Sequence, residues 1–121
     1  MTTYDVAQPA STTLAVVALS GQIDRDAMEP LTAAYEQATT DDPKTILLDF
    51  GAVDYINSTG IALIVGVLGR ARAEGRAVQA CGLTPHYAHI FEITRLSDFI
   101  SIYPDVDSAV AESTAAKEPQ P

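Results

Sequence analysis

Residues 45–75 read TILLDFGAVDYINSTGIALIVGVLGRARAEG, an apolar run, a polar junction and a second, longer apolar pattern in immediate succession. Thr45-Ile-Leu-Leu-Asp-Phe50 is nearly continuously apolar, which predicts a strand covered on both faces. Gly51 to Asn57 reads as a loop. From Ser58 to Glu74 apolar residues recur at helical spacing and Gly75 follows, so a helix closed by that glycine is expected. At about 3.6 residues per turn, Ile61, Ile64, Val65, Leu68 and Ala71 share a face that is read as core, with Arg70 and Glu74 opposite. Leu63 and Val67 lie beside the polar side, and Ala62, Gly66, Gly69 and Ala73 form a stripe of small residues between the two.

The pattern extends in both directions. Leu14 to Leu19 is a short apolar strand ended by Ser20-Gly21, and Thr3 to Ala7 can pair with it as a hairpin. Asp26-Ala-Met-Glu29 has the spacing of a capping box; Pro30 is tolerated in a first turn, and Leu31, Ala34, Tyr35 and Ala38 continue a helical stripe. Asp41-Asp42-Pro43 stops it. Downstream, Ala77 to Cys81 is a strand and Pro85 opens a helix carrying Ile90, Phe91 and Ile93. Phe99 to Tyr103 alternates as a last strand, and Pro104-Asp105 start a last helix bearing Val106, Ala109 and Val110. The order β-β-α-β-α-β-α-β-α implies an α/β fold: a mixed, mostly parallel sheet with one antiparallel edge and about four helices. Residues 1–111 form one domain in this reading. Residues 112–121, polar and ending Glu-Pro-Gln-Pro, are expected to be a disordered tail.

Composition excludes several classes of function. Sixteen acidic residues against seven basic ones give a net charge of -9, the opposite of a protein that binds a phosphate backbone. The same balance favours a basic protein partner. The single cysteine, Cys81, excludes an internal disulfide and fits a reducing compartment. The first residues have neither a basic patch nor an apolar run, and Ile61 to Leu68 is too short to span a bilayer, so a cytoplasmic protein without membrane or nucleic-acid contacts is expected.

The segment that carries the chemistry is Asp54-Tyr-Ile-Asn-Ser-Thr-Gly60. Asn57, Ser58 and Thr59 are short polar residues suited to capping, and Gly60 admits a second backbone close by. The helix that follows offers free N–H groups and a positive dipole end, which would accommodate a phosphate on Ser58. Capping alone is the ordinary role of such residues. Other arrangements carry less. Asp49 and Asp54 have the makings of an acid/base pair, yet strand-end and loop-capping roles are commoner for them. His86 and His89 can share a helix face, but a metal site needs further ligands. Ser58 lacks the G-x-S-x-G elbow of an esterase. A phosphoacceptor receiver domain, with Asp49 ending a strand, would need an acidic pair after its first strand, where Ser20-Gly21 stands instead. No catalytic group, metal or cofactor is expected.

Leu19-Ser-Gly-Gln-Ile-Asp24, Thr45 to Phe50, Asp54 through Leu68, Gly82-Leu-Thr-Pro85, Ile90-Phe91, Thr94-Arg-Leu96 and Phe99-Ile-Ser-Ile102 stand in an order and spacing that resemble a STAS domain of the bacterial anti-sigma-factor-antagonist family. The resemblance runs from about Val6 to Ala111. It implies the STAS fold and a phosphorylated serine at Ser58, with Thr59 as the alternative hydroxyl and Gly60 as the helix-entry glycine. The family's D-S-[ST]-G motif has Asn57 at its acidic position here. By the same resemblance Asp24, Asn57, Ser58, Thr59 and Gly60 belong to a partner-binding surface; the small and apolar residues Ala62, Leu63, Gly66 and Val67 extend it along the helix. The implied partners are an anti-sigma factor that is also a serine kinase, and a PPM-type serine phosphatase. The chain is expected to be a monomer or weak homodimer that binds the kinase when unphosphorylated, which releases a sigma factor, and that is itself released by phosphorylation. The alternative is a STAS scaffold, stressosome-like or accessory to a transport system, without a phospho-switch.

Overall fold

The computed structural model of the chain describes residues 2–7, 14–40 and 42–116. Its strands are β1 (Thr2–Ala7), β2 (Leu14–Ile23), β3 (Thr45–Ile56), β4 (Ala77–Cys81) and β5 (Ser101–Tyr103). Its helices are α1 (Met28–Ala38), α2 (Ser58–Ala73), α3 (Pro85–Ile93) and α4 (Val106–Ala116), with 3-10 turns at Arg25–Ala27 and Leu96–Asp98. The sheet order is β1-β2-β3-β4-β5; β1 runs antiparallel to β2, and every other pair is parallel. This is the expected α/β architecture.

Strand order follows chain order without a reversal. Right-handed crossovers then all advance the same way and deposit their helices on one face of the sheet. The main core lies there: Ile46, Leu48 and Phe50 of β3 meet Leu31, Ala34 and Tyr35 of α1, Ile64, Leu68 and Ala71 of α2, and Phe91 of α3. Phe91 is fully buried and meets Phe50 edge-on, with ring centroids 6.1 Å apart. The other face carries a smaller cluster of Leu14, Leu47, Cys81 and Ala109, covered by α4. The apolar run of β3 is therefore read alternately by two cores, the reason it shows no polar alternation.

Several expectations are corrected. The segment 51–56 is strand, not loop. β2 runs on to Ile23 and supplies a partner edge, and two register shifts, between Ala18 and Ser20 and between Gly21 and Gln22, let β3 continue beside it to Ile56. Asp26 does not cap α1: Asp24 Oδ1 accepts the Asp26 N–H at 3.0 Å and caps the preceding 3-10 turn, and α1 itself has Ala27 at its N-cap and no side-chain cap. Val65 is exposed rather than core, whereas Leu63 and Val67 pack against the core. The cause is that α2 is the middle one of three helices and receives apolar neighbours on its α1 flank. Ile93 and Phe99 are also exposed, at 64% and 51%, and the last strand begins only at Ser101. The backbone of α4 is helical through Ala116, beyond Ala111, in keeping with the helix propensity of its alanines. Residues 117–121 of the expected tail lie outside the described residues.

Candidate functional site

The ends of β2 and β3 and the start of α2 are locked together at one point. Asn57 donates its N–H to the Ile23 carbonyl at 3.2 Å. Its side chain caps α2, with Oδ1 accepting the Gly60 N–H at 2.8 Å. Gly60 rests on the same Ile23 carbonyl: a Cβ there would lie 2.0 Å from that oxygen, so only glycine fits. Asp24 follows directly in sequence. Behind this point, the Ile56 N–H donates to the Tyr87 hydroxyl of α3 at 3.0 Å, which fixes the last residue of β3.

The consequence falls on the two hydroxyls. Ser58 and Thr59 occupy the first turn of α2 and are both exposed. Neither side chain makes a hydrogen bond among the described residues, because the capping bond is made by Asn57. Ser58 therefore stands at a helix N-terminus with its oxygen uncommitted and a positive dipole end beneath it.

The remaining residues of the predicted surface are brought into the same neighbourhood. Ala62, Leu63, Gly66 and Val67 line one wall of a groove of about 180 Å³ between α2 and α1. Met28, Leu31, Thr32 and Tyr35 of α1 form the opposite wall, and Arg70 closes one end. Sequence reading missed the α1 wall. Its only local signal was Met28, an apolar side chain that remains 58% exposed. Tyr55, near the end of β3, is also exposed at 51%. At the closed end Tyr35 donates its hydroxyl to Glu74 Oε1 at 2.7 Å, and the Arg70 guanidinium lies 4.7 Å from the centre of the Tyr35 ring. Burial and the Glu74 carboxylate push the Tyr35 hydroxyl above its ordinary pKa, while the hydrogen bonds from Tyr35 and Arg76 hold Glu74 below the usual glutamate range.

The other candidate groups do not assemble into a site. Asp49 turns its Oδ1 back onto the Gly51 N–H at 2.9 Å and lies beside Cys81, while Asp54 is exposed farther along the same strand. Burial, reinforced by Asp49, pushes the Cys81 thiol up to about 12. His86 and His89 are both on the surface of α3, and the described residues contain no group of three metal-ligating side chains. No helix among the described residues is long and apolar enough to cross a membrane.

Known proteins are similar to this chain in sequence or in fold. BtrV of Bordetella bronchiseptica, a candidate anti-sigma factor antagonist by its name, is 30% identical over 106 residues, covering 88% of this chain and 89% of that protein. The crystal structure of an anti-sigma factor antagonist from Mycobacterium paratuberculosis superposes with a TM-score of 0.77 at 22% identity, covering 93% of each chain. SpoIIAA of Bacillus in its phosphorylated form shares the fold with a TM-score of 0.69 at 18% identity, over 91% of this chain and 98% of that one. Residues 6–103 match the family model described as Mlab, STAS domain. With the match spanning β2 to β5 and the helices between them, this chain belongs to the STAS domain family.

Proposed function

We propose that this chain is an anti-sigma factor antagonist whose docking face is the start of α2 together with the α1/α2 groove, and that phosphorylation of Ser58 empties that face. The observation that carries the reading is the pair of exposed, uncommitted hydroxyls of Ser58 and Thr59, one helical turn before the groove residues Ala62 and Leu63. The relatives support it by name, and SpoIIAA, which shares the fold, exists in a phosphorylated form.

The unphosphorylated domain binds an anti-sigma factor serine kinase through Asp24, Asn57 to Gly60, Leu63 and Val67. The γ-phosphoryl group of the kinase's Mg-ATP passes to Ser58 Oγ, the hydroxyl proton leaves to a base of the kinase, and ADP is released. The product carries about -1.5 to -2 charges where a neutral oxygen stood. Within the free domain this group is tolerated, since the first-turn N–H groups and helix dipole favour an anion by about 0.3–1 kcal/mol. Within an interface the same group must be desolvated against a surface shaped for a hydroxyl. A cost of about 3 kcal/mol lowers affinity roughly a hundredfold, at about 1.4 kcal/mol per factor of ten. A PPM-type phosphatase restores the hydroxyl. The domain itself has no catalytic role in this scheme.

The test is calorimetric titration of the purified kinase with wild type, Ser58→Ala and Ser58→Asp. Ser58→Ala should bind as the unmodified protein does, and Ser58→Asp should be weakened. Equal affinity for both variants refutes the switch. Asn57, neutral where the family motif carries an acid, favours a second reading in which the domain is an unmodified scaffold. A large assembly in sedimentation, with no phosphate gained from the kinase, would establish that reading; the switch requires a monomer or weak homodimer.

A further inference from the structure

The flank of α2 that faces away from α1 carries a second surface, independent of the Ser58 reading. A groove of about 390 Å³ runs between the later turns of α2 and the segment after α3. Val65, Leu68 and Leu96 give it an apolar lining, and Phe99 stands at its edge. Val65 and Phe99 are 46% and 51% exposed, and Ile93, which precedes the groove-lining Thr94, is 64% exposed. Clustered exposed apolar side chains of this size mark an interaction site far more often than scattered ones do.

This groove differs from the one on the other flank of α2 in having an arginine without an ion pair, since Arg70 of the α1/α2 groove is paired with Glu36 and Glu74. The chain has a net charge of -9 and only seven basic residues, yet two of them, Arg72 and Arg95, line the groove, and no carboxylate does. The Arg72 guanidinium lies 4.7 Å from the centre of the Phe99 ring and makes no ion pair among the described residues. Stacking on a ring leaves its N–H donors available to an incoming acceptor. Arg95 pairs with Asp98 at 2.8 Å but leaves its side chain 79% exposed. It also holds φ at 67°, just past the end of α3 where glycine is the relaxed choice.

We propose that this groove docks an acidic, apolar segment of a partner protein, seating its apolar side chains on Val65, Leu96 and Phe99 and a carboxylate on Arg72. Electrostatic complementarity selects that occupant. A second copy of this chain, paired symmetrically through the groove, would bring the arginines of both copies together. An anionic bilayer is recruited by clusters of about four or more basic residues, and this groove has two, one of them paired with Asp98.

The experiment is an NMR titration of the ¹⁵N-labelled full chain with a short, end-blocked amphipathic peptide of leucine and glutamate, and with its counterpart carrying lysine in place of glutamate. The glutamate peptide should shift the amides of Gly69, Arg72, Leu96 and Phe99, and the lysine peptide should not. Arg72→Glu and Phe99→Ser, both at exposed positions and checked for an unchanged melt, should each weaken binding about tenfold or more, the fold-change expected for losing one anchor. Ser58→Asp should leave it unchanged, so failure here and failure of the phospho-switch are separately visible. The proposal is overturned by an absence of shifts, by shifts confined to Leu63 and Val67, or by equal binding of the lysine peptide. It is equally overturned if Phe99→Ser abolishes self-association in sedimentation, or if the wild type binds phosphatidylglycerol vesicles through these residues.

Discussion

Two alanine substitutions in α2, six residues apart, should move stability in opposite directions. A Cβ at Gly60 would lie 2.0 Å from the Ile23 carbonyl oxygen and 2.8 Å from its carbon, both backbone atoms of β2. Ordinary carbon contacts sit at about 3.5 Å, so the helix start must retreat by roughly 1.5 Å. That retreat breaks the Asn57 N–H bond to Ile23, now 3.2 Å, and loosens the cap on the Gly60 N–H, now 2.8 Å. A buried N–H left unpaired costs about 1–3 kcal/mol and a lost cap about 1 kcal/mol. Gly60→Ala should therefore destabilise by about 2–4 kcal/mol, lowering Tm by roughly 8–16 °C for a domain of this size. At Gly66 a Cβ meets nothing within 4 Å. Gly66→Ala should instead stabilise by about 0.5–1 kcal/mol, since glycine carries the larger entropy loss in a helix. Urea and thermal unfolding followed by far-UV circular dichroism reads both signs. If Gly60→Ala proves no more damaging than Gly66→Ala, the contact between Gly60 and the Ile23 carbonyl is not what positions Ser58.

Two further outcomes follow from contacts around the site. Tyr87→Phe removes the acceptor of the Ile56 N–H and should cost about 1–2 kcal/mol, with faster amide exchange at Ile56 and Asn57 than elsewhere in β3; unchanged exchange there would mean that Tyr87 does not hold the end of the strand. Glu74 has its pKa held down in the folded chain by Tyr35 and then Arg76, so its contribution to stability is present above the unfolded glutamate pKa and disappears as pH falls through the lower, folded value. Glu74→Gln should flatten that acid limb in pH-dependent urea melts, and an unaltered slope would rule the Tyr35–Glu74 contact out as its source.

The topology bears on why a binding module is the reading that fits. In open parallel sheets a ligand crevice forms where strand order reverses. Here the order of the described strands runs from β1 to β5 without reversal. The surface instead offers a helix start with two free hydroxyls and two grooves on either flank of α2. A middle helix with one groove toward each neighbour can engage two different surfaces.

Local chemistry in the sequence settled much of this. The apolar run at Thr45–Phe50 and the helical spacing after Ser58 specified strand and helix because hydrophobic period is a property of neighbouring residues. The same is true of a polar cap among Asn57, Ser58 and Thr59, of Gly75 as a stop and of the place of Ser58 at a helix start. Other features depended on residues far apart in the chain. Segment 51–56 is strand only because β2 continues to Ile23 and provides hydrogen-bonding partners, and no pattern within 51–56 announces that. Leu63 and Val67 exchange places with Val65 because α1 lies on one flank of α2, a fact set by crossover direction and not by helical periodicity. The need for glycine at position 60 comes from the Ile23 carbonyl, and the pairing of Arg72 with Phe99 joins α2 to the turn after α3. Contacts of that kind exist only once the sheet has brought its crossovers side by side. The sequence alone therefore placed two hydroxyls, Ser58 and Thr59, at the helix mouth, and tertiary packing decided which surfaces surround them.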